Sequence, residues 1–276
     1  MATLTIPRRD TGTYVDVGGL RTFYVRAGSG PAVVLVHGGA PGACALVNYG
    51  PVIQPLANRG FTVYAYDQPG FGLTDNPDDH SQEYKVAHAR AFLDALGLER
   101  YHVVGNSMGV YVAARLALED PRVAKLVVVA GGSLARNDSP EAAAQSRQHG
   151  QDLAAYTPSI ENMRKMLSGT IHRQEVVTEE LVQLRYEMST GKNFEAQQAR
   201  RNAPAPRPIR DEVANLKTPT LVIWGLNDRG NAIERAYRAF EAIPGAELHT
   251  FHDCAHWPMW DQQERFTTVV SGFLAD

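Results

Sequence analysis

Cysteine is scarce in this 276-residue chain: Cys44 and Cys254 are its only two, and no CxxC pair occurs. A disulfide-stapled secreted scaffold is excluded, and the usage fits a reducing compartment. Charge of one sign is also lacking, with 27 Lys+Arg against 30 Asp+Glu for a net −3 and no basic field to hold a phosphate backbone. No uncharged apolar run reaches membrane-spanning length. Residues 1–16 carry Arg8 and Arg9 with no apolar stretch behind them, so no secretory leader is read there. Internal repeats are missing. What remains, 44% hydrophobic with 21% charged and 8% aromatic residues, is enough apolar material for a large core. The expectation is a cytoplasmic, soluble globular protein with neither nucleic acid nor membrane as partner.

Short apolar, β-branched runs alternate with longer helical patterns. Strands are expected at 20–25, 32–36, 61–66, 101–104, 126–129, 220–224 and 246–251, and helices at 46–58, 83–96, 107–119, 232–242 and 262–274. This alternation predicts right-handed crossovers and a mostly parallel sheet covered on both faces. Residues 134–211 break the rhythm. They hold no strand-like run, only helical periodicity at 141–156, 159–167 and 178–189, and the proline-rich stretch 203–208 leads back to the core. They read as a helical insertion into a core made of 1–133 and 212–276.

The sequence Gly105-Asn106-Ser107-Met108-Gly109 directly follows the apolar strand at 101–104 and opens a helix bearing Ala113 and Ala114. A G-x-S-x-G in that setting lets strand and helix crowd together while a strained turn projects the serine hydroxyl. Serine needs a histidine base and an acid to orient it, in the chain order Ser, Asp, His. Asp228 follows the run at 220–224, and His256 follows the last strand, so both stand at carboxyl ends of strands, where open α/β sheets place ligands. Asp67 competes for the acid's role, but its setting, Asp67-Gln68-Pro69-Gly70-Phe71-Gly72, reads as turn chemistry, and it precedes the serine. His249, His252, Cys254 and His256 suggest a metal cluster, which would require dismantling the strand that carries His249; none is expected. His80, His88, His149 and His172 sit in helical or loop settings where a packed or solvated role is the default, and His102 begins a strand.

His37-Gly38-Gly39-Ala40-Pro41-Gly42 ends an early buried strand, where bare backbone can approach a substrate. The amides of Gly39 and Met108 would supply the two donors of an oxyanion hole. In the insertion, Val177, Leu181, Leu184 and Met188 form an apolar stripe that also carries Arg185. An inward guanidinium wants an anion, and on the residues alone a core carboxylate and a substrate carboxylate serve equally.

HGGAPGACALVN (37–48), GNSMG (105–109), GLNDR (225–229), AHW (255–257) and LRYE (184–187) together resemble the meta-cleavage product hydrolases, and the likeness spans nearly the whole chain. These are carbon–carbon bond hydrolases of the α/β-hydrolase fold that act in the degradation of aromatic compounds. The resemblance implies a helical cap over the α/β core, Ser107 as nucleophile, His256 as base and Asp228 as acid, with oxyanion amides at Gly39 and Met108. It also implies a polar pocket of Asn48, Asn106 and Arg185 for the dienoate end, with Trp257 beside it. Where many members have a third glycine this chain has Ala40, whose methyl narrows that pocket. The resemblance further implies a homo-oligomer, a dimer or larger, needing no metal or cofactor. The implied reaction cleaves C5–C6 of a 2-hydroxy-6-oxohexa-2,4-dienoate. A carboxylesterase of the same fold needs the same triad but has no use for Arg185, and a small-molecule receptor of this fold would keep the triad without turning substrate over. Enzymes that place a carboxylate at the elbow are excluded by Ser107.

Overall fold

The computed structural model describes residues 9–135 and 139–276. Residues 1–8, part of the stretch in which no leader is read, and 136–138, near the head of the insertion, lie outside the described residues. Eight strands form one sheet in the order β1-β2-β4-β3-β5-β6-β7-β8: β1 (Thr13–Val17), β2 (Leu20–Ala27), β3 (Ala32–Val36), β4 (Thr62–Tyr66), β5 (Tyr101–Asn106), β6 (Val123–Val129), β7 (Thr220–Gly225) and β8 (Glu247–Phe251). The pairings β1–β2 and β2–β4 are antiparallel and the rest are parallel. Strand β1 is missing from the sequence expectation because it is an edge strand on which only Val17 is buried, leaving little apolar pattern to read.

The parallel strands β3, β4, β5 and β7 are buried almost throughout, as strands covered on both faces must be. One face packs against α1 (Ala45–Ala57), α9 (Pro258–Asp261) and α10 (Gln263–Ala275), and the other against α2 (Gln82–Ala95), α3 (Gly109–Glu119) and α8 (Glu234–Ala242). Helix α1 has eleven of its thirteen residues buried, among them Asn48, and this places a polar side chain beneath the carboxyl edge of the sheet.

Between β6 and β7 stand α4 (Pro140–Ala154), α5 (Ile160–Thr170), α6 (Glu179–Glu187) and α7 (Lys192–Arg200), with no strand among the described residues. Helix α7 is absent from the sequence expectation, since a segment with only Asn193 and Ala196 buried leaves no apolar stripe to read. Ser139, Ser159 and Thr178 cap α4, α5 and α6 by accepting from the amides of Ala142, Asn162 and Leu181. Leu181, Val182, Met188, Met163 and Leu167 continue the core above α1, so these helices sit on the sheet's carboxyl edge. No helix among the described residues is long and apolar enough to cross a membrane.

Candidate active site

Ser107 sits at φ +54°, in the left-handed region that non-glycine residues seldom occupy. The flanking glycines make this turn possible. A Cβ on Gly109 would strike the carbonyl oxygens of Val36 and His37, and one on Gly105 would lie 2.8 Å from the Cβ of Ala113 and from the Cα of Val110. The Ser107 amide donates to the Val129 carbonyl at 2.9 Å, tying the turn to the end of β6. The strain is thus held by the surrounding backbone, and the side chain lines a cavity of about 200 Å3.

Two loops of the same edge supply the opposing pair. Asp228, beyond β7, holds its Oδ2 2.7 Å from Nδ1 of His256, beyond β8, while its Oδ1 accepts from the amides of Gly230 (2.8 Å) and Asn231 (3.0 Å). Asp228 is buried, and these bonds on both oxygens fix its carboxylate plane. His256 is tethered from the insertion as well, its amide donating to the Thr170 carbonyl at 3.0 Å. Ser107 and His256 line the cavity together, and no hydrogen bond joins them among the described residues. Such contacts commonly tighten only around bound substrate.

The amides of Gly39 and Met108 donate to no acceptor among the described residues, and both residues line the cavity. His37 fixes the glycine pair in place. Its Nε2 lies 2.9 Å from the Gln68 amide and its Nδ1 2.6 Å from the Gly38 oxygen; accepting at the first sets a tautomer that donates at the second. Burial pushes its pKa down to about 4, so the ring stays neutral at ordinary pH and keeps both bonds. The sequence places His37 only in the turn, because a buried neutral histidine leaves no local pattern.

Asn48 and Asn106 are fully buried and joined, Nδ2 of Asn48 donating to Oδ1 of Asn106 at 2.7 Å. The Gly38 amide donates to Oδ1 of Asn48 at 3.3 Å, so the asparagine pair and the glycine turn form one network. Ala40 and Trp257 line the same cavity.

Arg185 is 0% exposed, and no carboxylate lies within ion-pair distance of it among the described residues. Its Nε donates to the Pro41 carbonyl at 3.0 Å, its guanidinium carbon stands 4.7 Å from the Trp257 ring centroid, and its Nη1 is buried without a partner. Burial lowers its pKa to about 10. Gly42, at φ +70°, lets the loop run against α6, since a Cβ there would strike the Arg185 carbonyl. Of the two anions open to Arg185 from sequence, no core carboxylate pairs with it among the described residues; a buried, unpartnered donor instead belongs to a residue lining the cavity shared with Ser107.

Asp67 does other work. Its Oδ1 accepts from the Ala45 amide (2.7 Å) at the start of α1 and its Oδ2 from the Leu73 amide (2.8 Å), while burial raises its pKa to about 6. An Asp67→Asn variant turns a donor toward one of these amides. It should lower Tm by several degrees, at about 1–3 kcal/mol for a buried amide left unpaired, while kcat stays within a few-fold of wild type. Thermal melts and turnover on the one variant check this.

His249 stays in β8 with its ring 4.5 Å from that of Phe251, away from His256 on Asp228, so the late histidines do not converge. His149 departs from the sequence expectation. Rather than a merely packed or solvated helix residue, it lines the cavity with Ser107 and His256, as do Leu153 of α4 and Thr170 of α5.

The sheet order, the serine elbow and the acid–histidine pair on successive strand ends define an α/β hydrolase, and the profile of the Alpha/beta hydrolase family matches residues 33–269, so the chain belongs to that family. A 2-hydroxy-6-oxononadienedioate/2-hydroxy-6-oxononatrienedioate hydrolase of Paraburkholderia phymatum is 34% identical over 99% of this chain and 98% of its own. The 2-hydroxy-6-oxo-6-phenylhexa-2,4-dienoate hydrolase of Comamonas testosteroni is 32% identical over 94% and 93%. Among solved structures, the meta-cleavage product hydrolase CumD of Pseudomonas fluorescens superposes with a TM-score of 0.83 at 31% identity, covering 96% of this chain and 98% of that one. Within the α/β hydrolases the chain is a meta-cleavage product hydrolase.

Proposed function

We propose that the chain hydrolyses the C5–C6 bond of a 2-hydroxy-6-oxohexa-2,4-dienoate, giving 2-hydroxypenta-2,4-dienoate and a carboxylic acid. The observation that carries this reading is Arg185, a buried guanidinium with no counter-charge among the described residues, in the cavity that holds Ser107. An ester of a neutral acid has no group to satisfy it. A dienoate carboxylate does, with Asn48 and Asn106 beside it and Trp257 flanking the guanidinium.

The residues then divide the work. Held at its carboxylate end, the enol is converted to the keto tautomer, the C2 hydroxyl giving up its proton to solvent as C5 takes one up. Ser107 Oγ attacks the C6 carbonyl while His256 takes the hydroxyl proton and Asp228 holds the imidazole by Nδ1. The amides of Gly39 and Met108 receive the oxyanion. When the tetrahedral intermediate collapses, the C5–C6 electron pair passes through C4 and C3 to the C2 oxygen, which takes up a proton, leaving the dienol product and an acyl group on Ser107. Water, deprotonated by His256, releases that group as the carboxylic acid. No metal or cofactor enters these steps.

Helices α4 to α7 support a cap role for 134–211, since residues of α4, α5 and α6 wall the cavity opposite the sheet. Ala40 is assigned to the substrate pocket on the same lining. The family resemblance supports a homo-oligomer, checked by light scattering, and the two buried thiols suit a cytoplasmic setting. Many cycles of loss of the dienoate absorbance per protein chain are expected in steady state. A single stoichiometric reaction would instead make the chain a receptor.

A further inference from the structure

Helix α7 packs through polar groups on the loop 67–75, and that loop also holds the glycine turn assigned to the oxyanion. One face of the helix meets alternate carbonyls of the loop: Arg200 Nη1 donates to Gly70 at 2.8 Å, Asn193 Nδ2 to Gly72 at 3.0 Å and Lys192 Nζ to Thr74 at 2.6 Å. Arg200 does more than dock. Its guanidinium carbon stands 3.9 Å from the ring centroid of the buried Phe71, and no ion pair joins it to a carboxylate among the described residues.

Phe71 carries this contact to His37. The two rings lie 5.2 Å apart at 75°, edge to face, and the Phe71 amide donates to the Gln68 carbonyl at 3.0 Å, closing a tight turn. Gln68 grips His37 twice, its amide donating to the ring Nε2 at 2.9 Å and its side-chain amide to the His37 carbonyl at 2.6 Å. His37 Nδ1 donates to the Gly38 carbonyl at 2.6 Å, and Gly38 stands against the nucleophile, where an added Cβ would lie 3.2 Å from the Cβ of Ser107. The contact is continuous from the insertion to the turn that bears Gly39.

We propose that Arg200 is a positioning residue for the oxyanion hole: through Phe71, Gln68 and His37 it holds the Gly38 and Gly39 backbone where the Gly39 amide meets the developing negative charge. The inference rests on the reading of Ser107 as nucleophile with Gly39 and Met108 as oxyanion donors, and adds the residue of the insertion that sets the first of them. A preorganised donor acts as charge develops, so loosening it costs rate rather than substrate affinity.

The test measures kcat and KM for a dienoate and for a small neutral ester, and Ki for a small trifluoromethyl ketone, on wild type, Arg200→Gln, Arg200→Lys, Phe71→Leu and the Arg200→Gln/Phe71→Leu double variant. In the inhibited enzyme Ser107 Oγ bonds to the ketone carbon, its proton passes to His256, and the former carbonyl oxygen becomes an oxyanion at the same amides. Arg200→Gln should lower kcat by about 10- to 100-fold on both substrates, the range of a misplaced rather than a deleted donor, with KM nearly unchanged and Ki raised in step. Arg200→Lys keeps a charge on the ring without the planar fork and should fall between, and it carries the comparison if the glutamine variant fails to fold. The double variant should lose little more than either single one, since both break one chain of contacts. Lys192→Gln frees the same helix at the far end of the loop and should lower Tm while kcat holds. Additive losses, a rise in KM with kcat kept, a wild-type Ki in Arg200→Gln, or an equal loss of kcat in Lys192→Gln overturns the positioning role and leaves Ser107 and its donors in place. A wild type that the ketone does not inhibit removes the oxyanion reading itself, and the inference with it.

Discussion

Arg185→Gln should depress turnover of a dienoate by about 30- to 1000-fold in kcat/KM, the equivalent of about 2–4 kcal/mol when a buried guanidinium no longer holds the carboxylate in the transition state. Hydrolysis of a small neutral ester by the same variant should be largely retained, because the guanidinium makes no hydrogen bond to Ser107, Asp228 or His256 and meets the loop that carries Gly39 only at the Pro41 carbonyl. Thermal stability gives the third arm of the comparison. A structural ion pair would lower Tm when broken, but Arg185 has no carboxylate partner among the described residues, and its desolvated charge costs free energy when no anion is bound. The variant should therefore melt within a few degrees of wild type, loss of the hydrogen bond to the Pro41 carbonyl being offset by removal of a buried charge. Parallel losses in both activities and in Tm would return Arg185 to a purely structural role.

The second large effect falls on the nucleophile and its partners. Ser107→Ala should bind the dienoate yet fail to release products, with kcat lower by about 10⁴-fold or more, and His256→Ala should be at least as impaired. Asp228→Asn should cost less than either but still about 10²–10⁴-fold. The amide keeps the shape of the carboxylate, but it offers a donor where His256 Nδ1 now sits 2.7 Å from an oxygen, and this disturbs the tautomer. A Ser107→Ala protein with near-wild-type kcat would rule out nucleophilic catalysis by serine. If Asp67→Asn impaired turnover more than Asp228→Asn in a folded protein, the acid would have to be reassigned.

Much of the fold and site is legible in the sequence because it is written in local pattern. The parallel strands read as continuous apolar runs since they are buried on both faces, and the elbow reads because its glycines are demanded by backbone crowding around a single turn. The order Ser107, Asp228, His256 reads because each stands just beyond a strand. The edge strand β1 and the helix α7 are not legible, since neither buries enough to impose a period. Arg185 can be placed on an apolar stripe, but whether a carboxylate faces it depends on elements far away in the chain. His149 is the sharpest case: a histidine on a polar helix carries no local mark of a site, and only the docking of α4 over the loop after Asp228 brings it beside Ser107. His37 is hidden for the same reason, its role being set by Gln68 at the end of the neighbouring strand.

Cleavage of a carbon–carbon bond through an acyl group on Ser107 is tested most directly with a dienoate labelled with carbon-13 at C6, incubated in water enriched in oxygen-18 and analysed by mass spectrometry. The expected products are equimolar unlabelled 2-hydroxypenta-2,4-dienoate and a carboxylic acid holding all of the carbon-13 with solvent oxygen in its carboxyl group. Rapid acid quench should in addition trap a transient acyl mass on the peptide containing Ser107. Recovery of the labelled carbon still joined to C5, after many equivalents of substrate and long incubation, would contradict this chemistry.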